Sequence, residues 1–575
     1  MKSTSPTEQD HGRLSVASVI IGVIGCVIIT ASSVYTALKV GALPWPTIFT
    51  SITALVLLRA LGHTSLNEAN VTQVIMSAGS MVAGGIAFTI PGIWILGVGG
   101  EVGWMRMLIV ALAGTLLGLV CTALIRKRFV DESDLEYPIG VAAATTLEAS
   151  EAGGTTGRWL FGSMGFAGIW CVLRDALGVL PTMLFSAPIP GVSFGLYNSP
   201  MCLAVGFIVS GLPVAFWFAG SLLGNFGIVW GGSTLGIWDM ETALEISQSL
   251  GMGLMVGSGI GVITKDIMPQ AGAFLGKLGT SEAANASDGD LTRHDAGRLG
   301  ILTASAVLLI CLGVGLSPLT SVILVLLTFV TTIMSAQSVG QTGIDPMETF
   351  GLIVLLVVAM LGEESQVRLF FVAAIVAVAC GLAGDVMSDF KTGQIIGTDP
   401  RTLWVGQAIG AVIGAVVSAV VLATLASAYG TDAFGTGKFF VATQAEVVAT
   451  MVGGIPNVAA FTLGLVTGIL LYVFKLPAML LGVGFYLPFY ISFSAAVGAL
   501  VRAVYDRVGA GASGGAVAKG DGVAGGAKSG ATDDEPTDDL SHEERGTVIA
   551  SGFLGGESIV GVIIALATVI MGVMS

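Results

Sequence analysis

Runs of eighteen or more almost uncharged residues recur along this 575-residue chain, and they constrain its fold more than any other feature. Leu14 to Leu38, 105 to 125, 402 to 427 and Thr547 to Met574 are four of them. Each is long enough to cross a hydrocarbon core, which takes about 20 residues of helix. Only 11% of the chain is charged and its mean hydropathy is +0.89, so these runs are not the scattered core segments of a soluble domain. Backbone groups in lipid must satisfy one another, and a continuous run of this length does so as a helix. The expectation is an all-α, polytopic membrane helical bundle of about 14–16 spans, counted at roughly 20 residues each. The 82 glycines fit helices packed closely through small residues.

The charges sort the chain around these runs. Leu14 to Leu38 is too long for a signal-peptide core and reads as the first helix. Arg126-Lys127-Arg128, with Lys2 and Arg13, favours a cytoplasmic N-terminus. The net charge of −14 collects in polar segments such as Ser281 to Gly297 and Asp521 to Glu544, and no basic stripe points to nucleic acid. The chain divides into a first membrane repeat over 1–267, a polar linker over 268–298, a second repeat over 299–508, a disordered acidic linker over 509–545 and a last membrane helix over 546–575.

Between two apolar runs lies Ile333-Met334-Ser335-Ala336-Gln337-Ser338-Val339-Gly340-Gln341-Thr342-Gly343-Ile344-Asp345-Pro346, polar and punctuated by glycine. Amide, hydroxyl and carboxylate groups cost several kcal/mol in hydrocarbon unless protein or water satisfies them, so such backbone lines a cavity. The segment has an echo 258 residues earlier, where Ile75 to Ile86 matches Ile333 to Ile344 at seven of twelve positions. A second echo in the same order, Leu203 to Phe207 against Leu481 to Phe485, has an offset of 278. Paired broken helices in two halves of a chain mark a transporter's site, so the reading is two internal repeats with broken helices, the stretch 68 to 98 among them.

Chemistry-bearing motifs are missing. There is no phosphate-binding loop, no H-E-x-x-H and no clustered cysteine or histidine; the six cysteines lie singly and the four histidines fall in polar segments. No catalytic residue, cofactor or protein-held metal is expected. Polar residues at membrane depth remain: Ser77 and Ser80, Gln337, Ser338, Gln341, Thr342 and Asn457 as donors and acceptors for a substrate, beside Gly84 and Gly85, with Asn225 and Glu557 elsewhere. Asp345, before Pro346, reads as a coupling carboxylate or as a helix cap. Asp385 and Asp389 share a face if their stretch is helical, with Lys391 placed to neutralise part of the pair; a solvated loop is the alternative.

Three stretches resemble the oligopeptide transporter (OPT) superfamily, including its yellow-stripe-like branch: Ser77 to Pro91; Gly384-Asp-Val-Met-Ser-Asp-Phe-Lys-Thr-Gly393 running on to Pro400-Arg401; and Gly484-Phe-Tyr-Leu-Pro488. Tyr137-Pro138-Ile139-Gly140 and Ala550 to Glu557 add to the likeness. The resemblance implies secondary, proton-driven uptake of peptides or metal chelates across a cell membrane, and it adds Tyr486 to the substrate-binding candidates. The partners expected are that small-molecule substrate and the lipid bilayer, with a homodimer left open. A passive pore, or an intramembrane enzyme, is the rival reading.

Overall fold

The computed structural model describes residues 14–40, 47–98, 102–133, 156–262, 291–342, 347–517 and 542–574, with single residues between them that include 135, 137 and 345. It is a bundle of helices, and among the described residues nine are long and apolar enough to cross a membrane while four more are apolar but shorter. One two-stranded hairpin interrupts it.

The bundle is built from two runs of matching elements. The first opens with α1 (Val16–Val40), α2 (Thr47–Ala60) and α3 (Leu66–Ala87). After a turn at Phe88 to Ile90 comes the five-residue α4 (Pro91–Ile95), so the break expected within 68 to 98 is present. Then follow α5 (Trp104–Arg126), α6 (Thr156–Cys171), the hairpin β1 (Met183–Ile189) and β2 (Val192–Tyr197), α7 (Pro200–Val209), α8 (Gly211–Ser221) and α9 (Met240–Val262). A connecting helix, α10 (Leu291–Leu308), packs on α5. The second run comprises α11 (Pro318–Thr342), α12 (Met347–Met360), α13 (Gln366–Ile396), α14 (Pro400–Tyr429), α15 (Thr443–Gly453), α16 (Val458–Val473), α17 (Ala478–Tyr486), α18 (Phe489–Val517) and α19 (His542–Met574).

The correspondence appears first in local chemistry. α1 and α11 each have 25 residues, and α2 and α12 each have 14. Leu61-Gly62 and Leu361-Gly362 then turn the chain, both glycines holding φ near +90° (86° and 98°), a conformation that an L side chain resists. Ser65 and Ser365 cap α3 and α13 through their hydroxyls, each accepting from the amide three residues on.

It appears again where helices cross. A Cβ at Gly410 of α14 would overlap the carbonyl oxygen of Ile75 on α3, and one at Gly114 of α5 would meet that of Ile375 on α13. Gly206 faces the carbonyl of Ala495 and Gly484 that of Trp217; Gly253 faces Phe461 and Gly552 faces Leu160. Each contact recurs with its two partners exchanged between the runs, which is the signature of a pseudo-twofold axis. Small residues at these points let backbones touch, and dispersion across that contact holds helices together where lipid supplies no hydrophobic drive.

These pairs correct the register read from the sequence. The echo at an offset of 258 links α3 with α11, whereas the structure makes α3 the counterpart of α13, about 300 residues on, and α11 the counterpart of α1. The chance similarity of two Gly/Ser-rich apolar segments produced the false register. The echo at 278 does fall on true counterparts, α7 and α17. The last helix is likewise no appendage: α19 matches α9 and belongs to the second repeat. α10 begins inside the proposed 268–298 linker, and α18 runs to Val517, past the boundary set at 509; residues 518–541 lie outside the described ones.

α3 and α13 pass each other antiparallel, with Asn70 near Thr398, Gln73 near Asp389, and Gly85 near Val378. Counterparts that run in opposite directions make the repeats inverted in topology. Both helices are enclosed by the rest of the bundle, the α3–α4 segment over the whole of its most apolar stretch and α13 over 94% of its own.

Candidate functional site

Polar groups concentrate on this enclosed pair. α3 carries Asn70, Gln73, Ser77 and Ser80, all buried. On α13, the stretch Gly384 to Gly393 continues the helix without interruption, so the loop alternative falls and Asp385 and Asp389 do share a face, one turn apart. Asp389, 3% exposed, accepts from Gln73 Nε2 at 2.8 Å through one oxygen and from Ser77 Oγ at 2.9 Å through the other. Gln73 Nε2 also lies 3.3 Å from Ser77 Oγ. The carboxylate is therefore held by two neutral donors from the opposite repeat, with no cation among its hydrogen-bond partners. Just past the end of α13, Thr398 receives from Asn70 Nδ2 at 3.1 Å and donates to Asn67 at 2.8 Å, a second tie between the repeats.

Lys391 does not neutralise the acidic pair. Its ammonium donates to Gln394 at 2.9 Å, on the more accessible face of the helix end, because two residues of helix turn it about 200° away from Asp389.

Asp345 stands between α11 and α12. Ser335 donates to its Oδ1 at 2.7 Å, and its Oδ2 faces Gly384 without a hydrogen-bond partner among the described residues. Glu348, in the first turn of α12 and 3% exposed, likewise leaves Oε1 unpartnered among the described residues. Asp345 thus reaches α13 at Gly384 and Glu348 lies buried at the start of α12, and the sequence pointed to only the first of these two carboxylates. Ser338 and Gln337 are buried on the same turn of α11, whereas the side chains of Gln341, Thr342 and Tyr486 lie outside the described ones.

The remaining candidates make contacts within the fold. Ser80 donates to the carbonyl of Ser77, and Gly84 accepts from the amide that caps α3. Gly85 lets α3 pass against the backbone of Val378. Asn457 caps α16, its Oδ1 accepting from Ala460 N at 2.9 Å, and so takes no part in the α3–α13 cluster. Gln73 was the omission that matters: it pairs with Ser77 at i, i+4, and that spacing on one face of a helix was the available signal.

Comparison with known proteins places the same span of chain in one group. The profile of the family described as OPT oligopeptide transporter protein matches residues 13–271 and 296–568. A protein of Haemophilus influenzae that carries the name of an oligopeptide transporter is 24% identical over 625 aligned positions, which cover 92% of each chain.

Proposed function

Because this chain belongs to the OPT oligopeptide transporter family, we propose that it is a proton-coupled secondary transporter importing short peptides or peptide-like metal chelates across the cell membrane, its N-terminus in the cytoplasm. One observation carries the coupling reading: Asp389, buried, is tied across the inverted pair α3 and α13 by Gln73 and Ser77 alone. A carboxylate in the bundle interior is costly and is kept for function. Ionised, Asp389 accepts both bonds, and charge assistance makes each roughly twice as strong as a neutral one. Protonated, it loses that charge and gives up acceptor capacity, so the tie between the repeats loosens. Rocking of one inverted repeat against the other is how such folds alternate access, and a proton-sensitive tie at their crossing converts a pH difference into that motion. Asp385, one turn away on the same face of α13, is the next carboxylate such a proton would meet.

The test is uptake of a labelled tripeptide into proteoliposomes with an imposed pH gradient. Asp389→Asn keeps an acceptor for one partner but cannot titrate; it is expected to exchange peptide across the membrane yet fail to concentrate it. Accumulation by that variant with the pH dependence of the parent would remove Asp389 from coupling. Acceleration of uptake by unlabelled peptide on the far side distinguishes a carrier from a pore.

A further inference from the structure

A second buried cluster lies apart from Asp389, where the C-terminal ends of α1 and α6 meet α19. The Arg174 guanidinium, with 0% of its side chain exposed, bonds Asp175 through Nε at 2.7 Å and Nη2 at 2.6 Å, reaches Glu557 at 2.8 Å, and donates to the carbonyl of Asn198 at 2.7 Å. Glu557 is saturated, since it also accepts from Ser199 Oγ at 2.8 Å and from the amide of Met201 at 2.9 Å, at the start of α7. Asp175 is the more accessible carboxylate, 12% exposed against 1% for Glu557.

Lys39, 8% exposed, completes the group. Its Nζ sits 3.3 Å from the centroid of the Phe439 ring, and no carboxylate lies within ion-pair distance among the described residues. It is still within electrostatic reach of Asp175, Arg174 and Glu557. Tyr35, Tyr197 and Tyr429 also lie within electrostatic reach of Asp175. Over them folds the segment between α14 and α15, in which Phe439 stacks on Tyr429 at 4.5 Å and Phe440 meets Tyr35 at 5.7 Å.

The fold does not require the two carboxylates. By the contacts that pair α19 with α9 and α6 with α16, Ser258 stands where Glu557 does, Leu476 where Asp175 does, and Lys475 where Arg174 does. The same helix junction is thus built in the other repeat with a cation but without either acid. Among the described residues Lys39 is a buried cation that contacts aromatic rings and no carboxylate, within electrostatic reach of Asp175, whose oxygens take the Arg174 guanidinium and the Cys171 thiol and which stays the more accessible acid; the two make a bipolar site suited to a bipolar ligand.

We propose that Lys39 and Asp175, braced by Arg174 and Glu557 beneath the Phe439–Phe440 segment, bind the carboxylate and ammonium ends of a free short peptide. This rests on the transport reading above and narrows it, because in a metal chelate the amine and carboxylate are occupied by the metal.

The experiment uses the purified full-length protein with trialanine, N-acetyl-trialanine, trialanine amide and the copper(II) complex of trialanine, read by ligand-dependent thermal shift and by proteoliposome uptake. Trialanine is expected to bind at least tenfold tighter than either blocked peptide or the copper complex. Lys39→Met is expected to raise the ligand-free melting temperature, since it removes an uncompensated buried charge, and to abolish the preference for trialanine over its amide. Asp175→Asn should abolish the preference over the acetylated peptide. If blocked peptides or the copper complex are taken up as well as trialanine, the site assignment is wrong and the transport reading stands. Lys39→Met that melts lower and keeps the preference makes Lys39 structural and likewise overturns the assignment. If no peptide form moves or binds, both fall.

Discussion

A carboxylate four residues from a second one, inside a 31-residue helix, is the residue on which the most turns, and it was legible because an Asp amid apolar sequence has few structural excuses. Its partners were less so. Gln73 reads as one more polar residue in a helix that also holds Asn70 and Thr72, and only the fold brings it across to Asp389. Lys39 and Arg174 end apolar runs, where a cation reads as an interfacial flank; that the ends of α1 and α6 turn inward to a common point is not encoded by either run. Asn457 errs the other way, since a single amide at membrane depth and a helix cap look alike in sequence. Asn457→Ala is expected to cost about 1 kcal/mol of stability through loss of the cap, while the dependence of uptake on peptide length and termini stays that of the parent in the proteoliposome assay.

At the level of helices, composition announced tight packing but not its partners. Eighty-two glycines say that backbones touch somewhere; which glycine meets which carbonyl depends on crossing points that repeat with an exchange of partners between the runs. This makes matched predictions available. Gly206→Leu drives a side chain into the carbonyl of Ala495, and Gly484→Leu into that of Trp217, so both variants should lose about 1–3 kcal/mol or more and show it as reduced monodisperse yield by gel filtration. Gly165→Leu, with open space around the added carbon, should behave as the parent. Equal damage at all three would mean that the paired crossings do not hold the bundle together.

For the molecule as a whole, the helical membrane class followed from run length alone, whereas the inverted relation between repeats did not, because hydropathy carries no direction. Direction came from α3 and α13 passing antiparallel. Leu61→Cys and Leu361→Cys sit on exposed counterpart turns, and a membrane-impermeant thiol reagent on sealed vesicles should reach one from outside and the other only after permeabilisation; labelling of both from the same side would refute the inversion. The enclosure of α3 also bears on biogenesis. A helix that carries Glu68, Asn70 and Gln73 and is enclosed by other helices over its most apolar stretch in the finished protein is a poor guest for the bilayer when it leaves the ribosome. Its binding partner α13 is translated about 300 residues later, a wait on the order of 15–60 s at the usual rate of synthesis. Over that interval α3 has only α1, α2 and α5 for cover, so a membrane chaperone that shelters marginal helices has its natural client in the nascent first repeat.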